Sequence, residues 1–340
     1  MKKIVTFGEI MMRLATPGHL RFEQTHVLEM TFAGGEANVA VSLARFGLPS
    51  AFVTLLPKND LAEACIMQLR SLGVDTRFIL RGGERMGVYF LETGASQRAS
   101  TITYDRSHSA ISEIDPSSLP WNEIFSDTSW FHFTGITPAL SDNCVTAVTA
   151  AARKAKAKGL TVSCDLNFRK KLWDSEKAEK VMTGLTPYID ICIANEEDAE
   201  NVFGIKAGAT KVSSGKIDHA RYVEVAKKLT SRFKFKGVAI TLRESHSASR
   251  NGWSGLFYTG QKAWFSRHYD IHIVDRVGGG DSFAAGLIYA LNRNQKPQEA
   301  IEFAVAASCL KHTISGDFNR VKLEEVRTLL AGDASGRVQR

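Results

Sequence analysis

Short apolar runs alternate with stretches of helical periodicity along most of this 340-residue chain. Such an alternation favours a mostly parallel sheet with helices on both faces, because each helix returns the chain to the sheet edge where the next parallel strand begins. Ligands of these folds bind at the carboxyl ends of the strands. The predicted strands cover residues 4–7, 51–55, 130–133, 161–165, 189–194 and 237–241, and the predicted helices cover residues 36–46, 61–72, 142–158, 175–185, 196–203 and 220–231.

Two segments, residues 11–32 and 86–108, interrupt this alternation with short strand-like runs and polar turns. Antiparallel hairpins inserted into a parallel α/β core can close over a substrate and exclude water, so we predict a small β-sheet lid. A plain extension of the sheet edge and a contact between subunits are the alternatives. With 44% hydrophobic residues the chain can bury one large core. We therefore predict a single α/β domain over residues 1–330, carrying the lid, and a C-terminal tail at 331–340.

The composition restricts the kinds of ligand and partner that we expect. The net charge of +7 favours an anionic ligand. Nucleic acid is disfavoured, because the basic residues are scattered apart from clusters at 153–158 and 169–171. The five cysteines form no Cys-x-x-Cys pair, which disfavours a disulfide framework or a zinc site, and no apolar stretch reaches membrane-spanning length. We expect a cytoplasmic protein without a membrane partner.

The segment 275–286, with the sequence DRVGGGDSFAAG, carries the strongest chemical signal. It follows a strand-like run at 271–274 and leads into an apolar helical pattern, so the backbone N–H groups of Gly278, Gly279 and Gly280 would converge at a helix start that favours negative charge. Asp281 at the same point suits a base that takes a proton from an attacking hydroxyl. An anion hole beside a base predicts phosphoryl transfer to an alcohol. The alternative is a tight connection in which Asp281 only caps the helix.

A second glycine cluster, AGGEANVA at residues 33–40, precedes the first predicted helix. Gly34 and Gly35 allow the backbone to approach a ligand closely, and Asn38 offers both a donor and an acceptor to sugar hydroxyls. An ordinary helix start would need neither the two glycines nor the amide.

Together these two clusters resemble the paired signatures of the ribokinase-like, or PfkB, carbohydrate kinases, and the resemblance spans nearly the whole chain. It implies a ribokinase-like α/β fold. Three further segments resemble the members of the family that phosphorylate the acid sugar 2-keto-3-deoxygluconate. They are GITPALS at 135–141, DLNFR at 165–169 and KHTISGDF at 311–318.

The resemblance implies roles for particular residues around the sugar. Asp281 would be the base, with Gly278, Gly279 and Gly280 as the anion hole. Arg106 would meet the carboxylate of the acid sugar, and Arg169 would reach both the substrate and the transferring phosphate, because a guanidinium bonds such groups bidentately. The residues implied to bind the sugar are Gly34, Gly35, Asn38, Tyr89, Tyr104, Arg106, Arg169, Asp281 and Asp317.

The resemblance also implies ATP and Mg²⁺ as cofactors and leaves open a monovalent cation such as K⁺. Asp198 stands where the family has glutamate, so Glu197 is a second candidate for organising the metal. Arg243 stands where the family has glycine after Thr241, which puts a close backbone contact to ATP in doubt. The residues implied to bind the nucleotide are Asn195, Thr241, Arg243, Gly278, Gly280, Ala307 and Lys311.

We therefore expect an ATP-dependent kinase that converts 2-keto-3-deoxygluconate into its 6-phosphate. A kinase of fructose or ribose is the first alternative. A Rossmann oxidoreductase is another, although the Gly-x-Gly-x-x-Gly spacing fails at Phe283, and a noncatalytic sugar-binding module is a third. By analogy with the family we expect a homodimer formed through the lid.

Overall fold

The computed structural model describes residues 1–195, 197–206 and 218–333. The strands in this part of the chain are β1 Lys3–Phe7, β2 Met11–Ala15, β3 Glu29–Ala33, β4 Ser50–Leu56, β5 Ile79–Arg81, β6 Val88–Glu92, β7 Thr101–Asp105, β8 Thr128–Thr134, β9 Thr161–Asp165, β10 Ile191–Ala194, β11 Gly237–Ser245, β12 Arg250–Tyr258, β13 Ala263–Phe265 and β14 Tyr269–His272. The helices are α1 Gly35–Arg45, α2 Asp60–Ser71, α3 Trp121–Ile124, α4 Ile136–Leu140, α5 Asp142–Ala157, α6 Ser175–Leu185, α7 Asp198–Phe203, α8 His219–Phe233, α9 Gly279–Asn292, α10 Pro297–Lys311 and α11 Leu323–Leu330.

The main sheet has the strand order β13-β12-β11-β10-β9-β8-β1-β4-β5, and β14 also pairs with β12. The pairs from β11 through β5 are parallel, while β12, β13 and β14 add an antiparallel edge. The predicted fold class, a mostly parallel sheet with flanking helices and a small second sheet, is confirmed. Glu196, where one predicted helix begins, and residues 334–340 of the predicted tail lie outside the described residues.

Neighbouring residues of the central strands point into two different cores. Ile4 of β1 packs with the core that contains α9 and α10, whereas Val5 packs with the core that contains α5 and α6. Trp130 and Phe131 of β8 divide between the same two cores. Because successive side chains of a strand alternate between faces, this division means that both faces of the sheet are covered by helices.

The two interrupting segments form a separate four-stranded sheet in the order β3-β2-β6-β7, which we call the lid sheet. Its β2 strand alternates buried and half-buried residues, which places Met11, Arg13 and Ala15 on the inner face. Tyr89 of β6 lies directly across from Tyr104 of β7, and their ring centroids are 5.9 Å apart. The lid sheet therefore presents two aromatic rings and one arginine to the interior.

The predicted strand at 271–274 differs from the structure. The strand β14 ends at His272 and is antiparallel to β12 at the sheet edge. The N–H groups of Val274 and Asp275 donate instead to the carbonyl oxygen of His312, at 2.8 and 3.1 Å. The segment leaves the sheet because the carbonyl oxygen at the end of α10 accepts both hydrogen bonds. The glycine loop is therefore anchored to a helix end rather than to a parallel strand.

Candidate active site

The start of α9 requires glycine at two positions. Gly278 has a left-handed backbone, with φ of 81°, and a side chain there would collide with the carbonyl oxygen of Asp317. A side chain at Gly279 would meet the ring of His312. Gly280 faces open space, because no atom lies within 4 Å of the position a Cβ would take. The loop thus packs tightly at its base and exposes its last glycine.

The start of α1 approaches the same point. At Gly34 a side chain would collide with the backbone of Glu9, and a Cβ on Gly35 would lie 3.5 Å from Oδ1 of Asp281. Asn38, one turn into the helix, donates a hydrogen bond from Nδ2 to Oδ2 of Asp281 at 2.7 Å. The two glycine clusters, 243 residues apart between Asn38 and Asp281, therefore meet at one carboxylate.

The carboxyl of the half-buried Asp281 has a raised pKa. Burial raises its pKa to about 6, while the hydrogen bond from Asn38 and the positive charges of Arg169 and Lys311 oppose that rise. A pKa just below neutral keeps the carboxylate ionised at pH 7 and still able to accept a proton.

On one side of Asp281 lies a small cavity of about 80 Å³ between the lid sheet and α1. All the residues that the sequence predicts to bind the sugar line this cavity, and we call it the sugar cavity. It also contains residues that the sequence reasoning missed. These additional residues are Glu9, Met11, Ala33, Glu36, Ile102, Ile136, Asn167 and Val277.

Arg106 reaches the sugar cavity in an ion pair with Glu9. Its guanidinium carbon lies 5.3 Å from the ring centroid of Tyr104, and its Nε has no hydrogen-bond partner among the described residues. Glu9 is buried and also accepts a hydrogen bond from Ser109 at 2.8 Å. Arg106 is therefore held in place by Glu9 while its guanidinium borders the sugar cavity, an arrangement that suits the recognition of a carboxylate.

Asp317 is held by the lid sheet. Arg13 contacts it at 2.5 Å, and the hydroxyl of Tyr89 donates to its two oxygens at 2.8 and 2.9 Å. Arg13 also contacts Asp275 at 2.6 Å. Sequence reasoning missed Arg13, although the alternating pattern of β2 places it on the same face as Met11. The lid is thus joined to the core by a buried ion-pair cluster.

Glu36 is a second acidic group that the sequence reasoning passed over. It is 1% exposed, and its Oε1 accepts hydrogen bonds from the backbone and hydroxyl of Thr134 and from the hydroxyl of Thr137, at 2.9, 2.9 and 2.6 Å. Burial raises its pKa to about 7. Glu36 therefore ties the start of α1 to the end of β8.

On the other side of Asp281 lies a cavity of about 300 Å³ at the carboxyl ends of β9, β10 and β11, which we call the nucleotide cavity. Of the predicted nucleotide residues, Asn195, Thr241, Arg243, Gly278 and Gly280 line it. Ala307 and Lys311 do not line it and are fully buried. Other members that the sequence reasoning did not select are Asn251, Trp253 and Arg276.

The two cavities share one border. Asn167, Arg169, Val277 and Asp281 line both of them. Asn167 has a left-handed backbone, with φ of 39°, at the turn that follows β9. The side chain of Arg169 makes no ion pair or hydrogen bond with any residue of the described chain, so its guanidinium is available to a ligand at this border.

The nucleotide cavity is positively charged at one wall. Arg243 and Arg276 both line it, and burial together with the charge of Arg243 lowers the pKa of Arg276. The two guanidinium groups repel each other across this wall, and a bound polyphosphate would neutralise their charges.

Asn195 and Asp198 shape the loop after β10. The carboxylate of Asp198 accepts backbone hydrogen bonds from Phe168 and Asn195, both at 3.0 Å, and Oδ1 of Asn195 accepts from the backbone of Glu197 at 2.8 Å and of Asp198 at 3.0 Å. The predicted metal ligand Asp198 is therefore also a structural link between two loops.

The donor set suits magnesium held largely through water and phosphate. Asp165 and Asp198 line the nucleotide cavity, and burial raises the pKa of both carboxyls, a shift that a nearby cation would reduce. Glu197 lies on an adjoining cleft. Among residues 1–195, 197–206 and 218–333, no three His, Cys, Asp or Glu side chains are grouped as a metal cage. Mg²⁺ often keeps several waters and binds through one or two carboxylates and substrate phosphates.

Comparison with known proteins agrees with this arrangement. The profile of the pfkB family carbohydrate kinases matches residues 1–320, and the chain belongs to this family. The crystal structure of the 2-dehydro-3-deoxygluconokinase of Thermotoga maritima is 49% identical and superposes with a TM-score of 0.93, covering 97% of this chain and 98% of that one. The membership decides against the oxidoreductase alternative.

Two curated relatives are also similar. The 2-dehydro-3-deoxygalactonokinase of Haloferax volcanii is 30% identical over 98% of each chain. The 2-dehydro-3-deoxygluconokinase of Bacillus subtilis is 25% identical, covering 94% of this chain and 93% of its own.

Within the described residues there is no helix of the length and apolarity needed to cross a bilayer.

Proposed function

We propose that this carbohydrate kinase transfers the terminal phosphoryl group of ATP to the terminal hydroxyl of 2-keto-3-deoxygluconate, giving 2-keto-3-deoxy-6-phosphogluconate. The observation that carries the proposal is the border between the two cavities, where Asp281 and Arg169 face both. A hydroxyl that enters from the sugar cavity and a phosphate that enters from the nucleotide cavity would meet at these two side chains.

In this mechanism Asp281 accepts the proton of the sugar hydroxyl as the oxygen attacks phosphorus. The backbone N–H groups of Gly278 and Gly280 and the guanidinium of Arg169 stabilise the charge on the transferring group. The third predicted donor, Gly279, lines neither cavity, and its N–H donates to the carbonyl oxygen of Arg276 at 3.3 Å. Magnesium, when bound near Asp198 and Glu197, supplies neutralisation of phosphate charge. The lid sheet, anchored through Arg13, limits the access of water to the border and so limits wasteful hydrolysis.

The choice of an acid sugar is supported by Arg106. Its guanidinium lies at the sugar cavity beside Tyr104. A sugar carboxylate would give this cation a charged, bidentate acceptor, which a neutral ketose lacks. The names of similar kinases from Thermotoga maritima and Bacillus subtilis support the same acid sugar. The name of the Haloferax volcanii relative makes 2-keto-3-deoxygalactonate, its epimer, the second candidate.

The test is an ADP-release assay with ATP and four sugars: 2-keto-3-deoxygluconate, 2-keto-3-deoxygalactonate, fructose and ribose. We expect the highest kcat/KM with 2-keto-3-deoxygluconate and phosphorus NMR of the product to show a phosphate on the terminal carbon. A higher kcat/KM with the galactonate would move the assignment to the epimer. Preference for fructose or ribose would overturn the acid-sugar assignment.

A homodimer formed through the lid is part of the proposal. The lid segments expose Leu20, Phe22, Val27 and Met30, and β3 is the outer strand of the lid sheet. An exposed strand edge next to apolar side chains favours association with a second copy. Light scattering during size-exclusion chromatography should give twice the mass of one chain.

A further inference from the structure

Lys311 is a buried ammonium group that lines neither cavity and takes no direct part in the proposed mechanism. The residue ends α10 and is fully buried, although lysine is almost never buried unless it is paired. Its Nζ donates to the carbonyl oxygens of Asp275 at 3.2 Å and of Ile314 at 3.4 Å. These two carbonyls come from different loops, one that leads into the glycine loop and one that follows α10.

The carbonyl partners belong to a hub centred on Asp275. Oδ1 of Asp275 accepts from the backbone of Val277 at 3.0 Å, and Oδ2 accepts from the backbone of Gly316 at 3.0 Å and from Arg13 at 2.6 Å. Val277 directly precedes Gly278, whose backbone packs on the carbonyl of Asp317. Any displacement of Asp275 would therefore move the glycine loop, whose N–H groups are proposed to bind the phosphate.

The charges in this hub balance. Asp275 and Asp317 supply two carboxylates, and Arg13 and Lys311 supply two cations. Without the ammonium group, two carbonyl oxygens would face a buried space of net negative charge. Main-chain carbonyl oxygens are the ligands with which proteins replace the hydration shell of K⁺. The surroundings of Nζ therefore have the chemistry of a monovalent cation site that is filled by a side chain.

We infer that Lys311 is a positioning residue that takes the place of a monovalent cation and holds the glycine loop in its phosphate-binding geometry. The kinase should accordingly need no K⁺, and the open expectation of a K⁺ cofactor does not fit the residues present. The test by turnover rests on the proposed function, whereas the test by cation-dependent melting temperature does not.

The test compares the native chain with Lys311→Ala and Lys311→Met in tetramethylammonium chloride, a salt whose cation is too large for the site, and in KCl, NH4Cl and NaCl at constant ionic strength. Native turnover should be the same in all four salts. The kcat of Lys311→Ala should fall about 10- to 100-fold in tetramethylammonium chloride. This loss is no larger than the loss caused by removing an oxyanion-hole donor directly. The variant should regain most of that loss in K⁺ or NH4⁺. Lys311→Met should lose activity without regaining it, because its side chain fills the space.

Lys156→Ala is the matched control, since Lys156 pairs with Asp190 at 2.7 Å in a cluster that lines neither cavity. It should show no salt-specific change. The melting temperature of each variant in the four salts gives a second readout, in which K⁺ should stabilise Lys311→Ala selectively, whether or not the sugar assignment is right. If no sugar is turned over by the native chain, the proposed function fails and this binding readout still decides the inference.

Three results would overturn the inference. The first is native turnover that rises several-fold with K⁺. The second is a Lys311→Ala variant with native turnover in tetramethylammonium chloride. The third is a folded Lys311→Ala variant whose turnover and melting temperature respond to none of the small cations. If both Lys311 variants fail to fold in every salt, the absence of rescue by K⁺ or NH4⁺ also counts against it.

Discussion

The amide of Asn38 donates a 2.7 Å hydrogen bond to Asp281, which joins the first turn of α1 to the first turn of α9. The oxygen of the same amide, Oδ1, accepts a hydrogen bond from the backbone N–H of Gly34 at 3.4 Å. Because the hydrogen bond favours the ionised carboxylate, Asn38 sets how far burial can raise the pKa of Asp281.

Replacing Asn38 with alanine should move the acidic limb of the pH profile of kcat/KM to higher pH. In the proposed mechanism Asp281 works in its ionised form, so the native activity should fall as the pH drops through about 6, the value to which burial raises the pKa of this carboxyl. Without the amide donor the fall should begin at higher pH. Asn195→Ala is a matched control, since it removes another amide at the nucleotide cavity without touching Asp281. An unchanged limb in Asn38→Ala would contradict the electrostatic role of the amide.

Asp281→Asn should lower kcat by about 10² to 10⁴ if its work is general base catalysis. It should also stabilise the fold at neutral pH. The folded-state pKa of about 6 lies above the ordinary 3.8, so the native carboxyl destabilises the fold increasingly as the pH rises from about 4 to about 6, and by a constant amount above that. Asparagine has no charge to bury. Denaturant unfolding should show a gain on the order of 2 kcal/mol at pH 8 that is absent at pH 4. Near-native turnover would refute the assignment of the base.

Arg106→Ala should raise KM for the acid sugar by about 10- to 100-fold, the value of one or two hydrogen bonds to a charged group, and should change KM for a neutral ketose much less. Glu9→Gln is the informative partner, because it removes the ion pair but leaves the guanidinium in the sugar cavity. We expect this variant to retain its preference for the acid sugar. Equal losses for acid and neutral sugars in Arg106→Ala would show that the residue acts on the fold rather than on the carboxylate.

The glycine loop allows a matched pair of substitutions two residues apart. Gly278→Ala should destabilise the fold by about 1–3 kcal/mol, because its left-handed backbone and the carbonyl of Asp317 both oppose a side chain. Gly280→Ala meets open space and should keep or slightly raise the stability, since alanine favours the helix by about 1 kcal/mol. Its methyl group would enter the nucleotide cavity, so KM for ATP should rise. Thermal unfolding and ATP titration separate the two outcomes.

The alternation of strands and helices was sufficient to predict the fold class. The resemblance to the family, rather than a local pattern, supplied most of the predicted sugar residues, and it left out others such as Glu9 and Glu36 that line the same cavity. The sequence did not reveal Arg13, since nothing local shows that a lid arginine reaches two carboxylates more than 250 residues away. The resemblance implied that Lys311 binds the nucleotide, whereas the fold buries this residue outside the nucleotide cavity.

Most of the sugar cavity is built by the lid sheet and the residues around α1, whereas most of the nucleotide cavity comes from residues beyond β8. Under the proposed function, the two halves of the reaction are therefore encoded in largely separate stretches of the chain. Exchanging residues 11–33 and 86–106 for the matching stretches of a kinase that phosphorylates another sugar would change the sugar preference. The nucleotide cavity would stay unchanged. New sugar preferences could thus arise by drift in the first third of the chain alone.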